Sequence, residues 1–239
     1  MNDSQPQIAT FCKFPFVRDL VIKWDKNKEY PPMQDYNLDA MLQFRHLRAL
    51  QLNHLASLSH MEYLLTHFGE RLEVLCVVLV KNTVRDIRFT MIFSLCPNLE
   101  LLILKNIPNP VNDAAWIMSS FNRLKKLYLK VNRSANDEPV RLSDFLLGRN
   151  LTEVTLDGLT VSAEQLKATN KLILDTDMLS QIIEFRLLVN PRNVTESYEE
   201  DLKKEGMILE KTLTSLRPSA IVVVFNILPM VGQPMQTVL

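Results

Sequence analysis

Histidine and cysteine are the residues from which this chain could build a metal site or a nucleophile. The four histidines, His46, His54, His60 and His67, crowd into one short stretch of the 239-residue chain. A zinc site would need cysteine or carboxylate ligands at matching spacing, and none of the four has one. They read as surface or half-buried histidines, and no metal is expected. The three cysteines, Cys12, Cys76 and Cys96, are far apart and odd in number. They suggest no disulfide framework and fit a reducing compartment. A nucleophilic thiol needs a neighbouring base and a lowered pKa, and neither is visible. Cys76, inside a predicted strand, and Cys96, just before Pro97, read as structural thiols. The acidic run Glu199, Glu200, Asp201, followed by Lys203 and Lys204, reads as the solvated start of a helix. No glycine-rich phosphate loop is present, and five glycines leave little to build one from. The chain is therefore expected to have no cofactor and not to be an enzyme.

The elements that would hold these groups repeat. Residues 96–106 read CPNLELLILKN, with Leu99, Leu102 and Leu104 spaced L-x-x-L-x-L. The same apolar spacing starts at Val17, Leu47, Leu72, Leu124, Leu151 and, more weakly, Ile182. Successive starts are 30, 25, 27, 25, 27 and 31 residues apart, close to the period of a leucine-rich repeat. The run Ala220 to Ile227 reads as a closing strand.

Between the strands the apolar period switches to that of a helix. SLSHMEYLLTHF places Met61, Leu64, Leu65 and Phe68 on one face, with Ser59 and Glu62 spaced as a capping box. VRDIRFTMIFSL aligns Ile87, Met91 and Leu95, and VNDAAWIMSSF gives a similar face. Ser162 and Gln165 form a second capping box. The short run Leu172 to Leu174 is either an irregular strand or a loop under the helices. A loop with Pro191 leads to a helix from about Ser197 to Leu216, and residues 229–239 are expected to fray. Strand then helix, repeated, requires right-handed crossovers and a parallel sheet. Each unit exposes an apolar edge that it can bury only against its neighbour. The expected fold is α/β, a single right-handed leucine-rich-repeat solenoid over 1–239. Its parallel sheet lines the concave face and its helices the convex one. Repeats span about 14–190, with a C-terminal helix and closing strand over about 197–228.

Lys+Arg and Asp+Glu both number 27, so a nucleic-acid partner is disfavoured. No apolar run reaches the ~20 residues needed to span a bilayer, and the polar start MNDSQPQIATFCKF does not read as a secretory signal. The expected location is the cytoplasm or nucleus, with no membrane partner. The sequons at Asn2, Asn132, Asn150 and Asn193 then read as chance.

In L-x-x-L-x-L the leucines point inward, and the residues between them point outward. The middle outward columns are Val74, Cys76, Val78; Leu101, Ile103, Lys105; and Lys126, Tyr128, Lys130. The last repeat adds Arg186. Parallel strands lie about 4.8 Å apart, so three columns make a patch roughly 10 Å wide. An apolar patch rimmed by charge is a mark of a protein-binding site. The candidate residues are Val74, Val78, Leu101, Ile103, Lys105, Lys126, Tyr128, Lys130 and Arg186. Lys126 and Lys130, flanking Tyr128, would favour an acidic partner segment.

CPNLELLILKN, FNRLKKLYL and RNLTEVTLDGL resemble the repeats of the F-box/leucine-rich-repeat family. The resemblance covers roughly residues 14–190. It implies a repeat region that selects a substrate, beside an F-box that docks on a Skp-type adaptor of a cullin ubiquitin ligase. The stretch before Phe14 is shorter than an F-box and has no L-P-x-E-type opening. An adaptor and cullin are thus expected only where an F-box is supplied elsewhere. The alternative is a scaffold or inhibitor unrelated to ubiquitin transfer.

Overall fold

The computed structural model describes residues 14, 16–25, 44–55, 57–80, 89–108, 122–132, 138–190, 196–216 and 222–228. They form one α/β unit around an eight-stranded sheet, open and parallel throughout. The strands are β1 (Asp19–Lys23), β2 (Ala49–Leu55), β3 (Val74–Leu79), β4 (Leu101–Ile107), β5 (Lys126–Val131), β6 (Glu153–Leu159), β7 (Glu184–Val189) and β8 (Val222–Ile227). Their spatial order is their chain order, so each strand pairs with the next and the layout is solenoid-like. Helices α1 (Leu58–Phe68), α2 (Phe89–Leu95), α3 (Ala163–Asp175) and α4 (Glu196–Leu216) lie on connections between strands.

The register places like on like. Leu20, Leu50, Leu75, Leu102, Leu127, Val154, Phe185 and Val223 form one cross-strand row. Ile22, Leu52, Val77, Leu104, Leu129, Leu156, Leu187 and Phe225 form the next. From β2 to β7 both rows are buried, and they share a single core with helix residues such as Leu64, Ile92, Leu166 and Leu209. A one-residue slip would turn every one of these side chains outward, so burial of one face fixes the register.

The repeat has a finer grain than the strands alone suggest. β2, β4 and β6 have seven residues, while β3, β5 and β7 have six. The extra residue is a bulge at His54, Asn106 and Gly158, each 52 positions from the next, and all three have positive φ. Glycine enters this left-handed region freely, and asparagine and histidine more readily than most residues. The polar side chains there stitch one turn to the last. His54 Nδ1 donates to the Trp24 carbonyl at 3.2 Å, and Asn106 Nδ2 to that of Leu79 at 3.1 Å. Asn132 Nδ2 continues the series to the Asn106 carbonyl at 2.9 Å. At the opposite strand ends Asn98 and Asn150, again 52 apart, donate to the carbonyls of Glu70 and Asn122.

Several expectations need correction. Helix α1 starts at Leu58 with Ser57 in the N-cap position, so Ser59 and Glu62 make no capping box. The run Leu172 to Leu174 is neither strand nor buried loop. It closes α3, with only Ile173 buried. Helix α2 buries Phe89 and Ile92, whereas Met91 and Leu95 are half-buried, so its inward face is rotated from the expected one. By contrast, the Ser162 hydroxyl accepts from the Gln165 backbone N–H at 3.2 Å, which is the N-cap half of the second capping box. Met61, Leu64, Leu65 and Phe68 are all buried. The expected helix 111–121, Ile87, the Pro191 loop and residues 229–239 lie outside the described residues.

Candidate functional site on the outer face of the sheet

Because strand side chains alternate, fixing the inner rows also fixes three outer rows. One runs Asp19, Ala49, Val74, Leu101, Lys126, Glu153, Glu184, Val222. The middle row runs Val21, Gln51, Cys76, Ile103, Tyr128, Thr155, Arg186, Val224. The third runs Lys23, Asn53, Val78, Lys105, Lys130, Asp157, Leu188, Asn226. All nine candidate residues stand on this face. Val74, Val78, Leu101, Ile103, Lys105 and Tyr128 are half-buried, and Lys126, Lys130 and Arg186 are exposed.

Over β3 and β4 the outer face is apolar. Val74 neighbours Leu101, Cys76 neighbours Ile103, and Ile103 in turn neighbours Tyr128. Over β5 to β7 it is ionic. Lys126 Nζ meets the Glu153 carboxylate at 2.7 Å, and Lys130 Nζ meets Asp157 at 2.9 Å. Arg186 is held by Glu184 of its own strand. Asp157 is itself buried, so its carboxylate is better shielded from water than the others. These pairs alter the role expected of the lysines beside Tyr128, because both already face carboxylates within the sheet. Glu153 and Asp157, outward residues of β6 that are not among the nine candidates, are the partners of these lysines. Each stands 27 residues after its lysine, which is the repeat step itself. Lys105 is different: its Nζ sits 5.1 Å from the Tyr128 ring centroid.

The groups with chemical potential are dispersed. His46 stacks on Phe16, and His67 donates through Nδ1 to the Tyr63 carbonyl at 2.8 Å. His60 stacks on Trp24 and is fully buried, not at the surface or half-buried as expected. Its place on α1 four residues before the buried Leu64 turns it to the core. Among the described residues, no three of His, Cys, Asp and Glu gather as a metal site would require. Cys96 is buried, and burial pushes its thiol up to about 12, so it carries almost no thiolate at neutral pH. Cys76 lies half-buried on the outer face; desolvation raises its pKa, partly offset by the charge of Lys105. Cys12 lies outside the described residues.

A cavity of about 610 Å³ lies away from the sheet face, between 146–150 and the end of α3. Leu147, Arg149, Leu172 and Asp177 are among its lining residues. Among the described residues, no helix is long and apolar enough to cross a membrane. No family model and no curated protein matches the chain.

Proposed function

We propose that this chain is a leucine-rich-repeat solenoid whose sheet forms a concave protein-binding face, and that it acts by binding rather than by catalysis. The observation that carries this reading is the apolar ground of the outer face over β3 to β5. Val74, Val78, Leu101, Ile103 and Tyr128 take positions that the core does not need, yet they are apolar or aromatic. Cross-strand pairing gains something from them, but a solvated face does not require so many together, and a protein partner would use them. The regular ladder supports the repeat assignment, and the Asn106 and Asn132 side chains tie successive strand ends together through backbone carbonyls.

The more specific form of the proposal is substrate recognition in an F-box-type ubiquitin ligase, with the F-box supplied outside this chain. It rests on the resemblance of CPNLELLILKN and its sister segments. The direct test is co-purification from cells of the tagged chain, wild type beside Ile103→Glu and Tyr128→Ala. Recovery of a Skp-type adaptor and a cullin together with a further protein that both variants lose supports the ligase form. Recovery of that further protein without adaptor or cullin supports a scaffold or inhibitor. Equal recovery of every protein by all three chains contradicts the choice of face.

A further inference from the structure

The outer face from β3 to β7 carries four cations, Lys105, Lys126, Lys130 and Arg186, against three carboxylates, Glu153, Asp157 and Glu184. Each carboxylate has one of the cations within ion-pair distance, and among the described residues Lys105 is the cation left over. It stands at the boundary between the apolar columns and the ionic ones. Its ammonium lies over the Tyr128 ring, and its field reaches the Cys76 thiol on the neighbouring strand. A charge beside Val78, Ile103 and an aromatic ring is screened less by water than one on a fully solvated helix. The ring also attracts the lysine ammonium over the patch, which biases the side chain toward the geometry that binding would use.

We propose that Lys105 and Tyr128 together receive an acidic side chain of the partner, set in an otherwise apolar segment that lies across β3 to β5. The apolar neighbours of that acid rest on Val74, Val78, Leu101 and Ile103. A basic segment does not fit, because every outer-face carboxylate from β5 to β7 is already matched. The acid preference expected of Lys126 and Lys130 thereby moves one strand, to the cation that has no carboxylate partner among the described residues. This inference rests on reading the outer face as a protein interface, and the test separates the two.

The probe is a displayed library of random linear peptides, selected on the immobilised full-length chain. Selected peptides are then measured by fluorescence polarisation against purified wild type, Lys105→Met, Lys126→Met and Ile103→Glu, all checked for unchanged thermal midpoints. The expected result is enrichment of one Asp or Glu between apolar residues. Lys105→Met should weaken such a peptide about tenfold, with little effect from Lys126→Met. Changing the peptide's acid to its amide should remove the difference between wild type and Lys105→Met. Peptides lost on Ile103→Glu but indifferent to Lys105→Met would overturn the acid site and leave the interface standing. A library whose binders all ignore Ile103→Glu, or that yields none, would overturn the interface and this proposal with it.

Discussion

β3 and β4 on one side, and β5 to β7 on the other, share the same backbone ladder and the same inner rows. They differ outside. Over β3 and β4 the outer side chains are Val74, Cys76, Val78, Leu101 and Ile103, with Lys105 at their edge; over β5 to β7 they are largely matched charges. The inner rows, buried from β2 to β7, build the core. The outer rows lie outside that core, where a substitution should cost the fold less. The matched columns satisfy themselves within the sheet, and the apolar columns do not.

The comparison predicts large costs inside and small ones outside. Leu102 is fully buried between Leu75 and Leu127. Leu102→Ala should cost about 2–5 kcal/mol in denaturant unfolding, through lost burial and the cavity left behind. Next comes the place where α4 touches the sheet. A Cβ on Gly206 would run into the ring of Phe225 on β8. Gly206→Ala should therefore lose about 1–3 kcal/mol from overpacking, despite the better helix propensity of alanine. Adding Phe225→Leu should recover part of that loss, and an additive double variant would place the clash elsewhere.

Asn106 sits at a positive φ and bonds the turn below. Asn106→Ala removes both advantages and should cost about 1–2 kcal/mol. Asn106→Gly keeps the backbone freedom and should cost less. Equal losses would mean that the hydrogen bond alone matters at this corner. The smallest effect belongs to the ionic columns. Lys126 and Glu153 are exposed enough for water and salt to screen their pair, so Lys126→Ala should change stability by about 0–1 kcal/mol.

The two thiols sharpen the same contrast by pH. Cys96 keeps its proton in the folded chain up to about 12, whereas the unfolded thiol releases it near its ordinary 9.0. Raising the pH through that window therefore favours the unfolded chain, and its contribution is fully present below 9.0. Cys96→Ala should flatten this part of the stability profile. In a Cys12→Ser background, a maleimide at neutral pH should label Cys76 well before Cys96. Simultaneous labelling would mean that the core around Cys96, just after α2, opens as readily as the outer face.

Strand positions were legible because L-x-x-L-x-L encodes both the face and the register. The Ser162 cap was legible because its Gln165 partner is local. The end of α3 was not, because Leu172 and Leu174 are exposed and only Ile173 is buried. Three apolar residues in a row then carry no helical period. The charge matching was half legible: the 27-residue step that located the strands also joins Lys126 to Glu153 and Lys130 to Asp157. That Lys105 leans on Tyr128 depends on side-chain rotamers, which no period encodes.

Ile103 and Leu104 are chain neighbours on β4 that point to opposite faces, one half-buried and one fully buried. The most direct measurement is the thermal midpoint of Ile103→Glu beside that of Leu104→Glu. An outer face free to meet a partner predicts that Ile103→Glu melts within a few degrees of wild type, while Leu104→Glu, which places a charge in the core, fails to fold cooperatively. If Ile103→Glu collapses as Leu104→Glu does, the chain itself covers that face, and the account of it as an interface is contradicted.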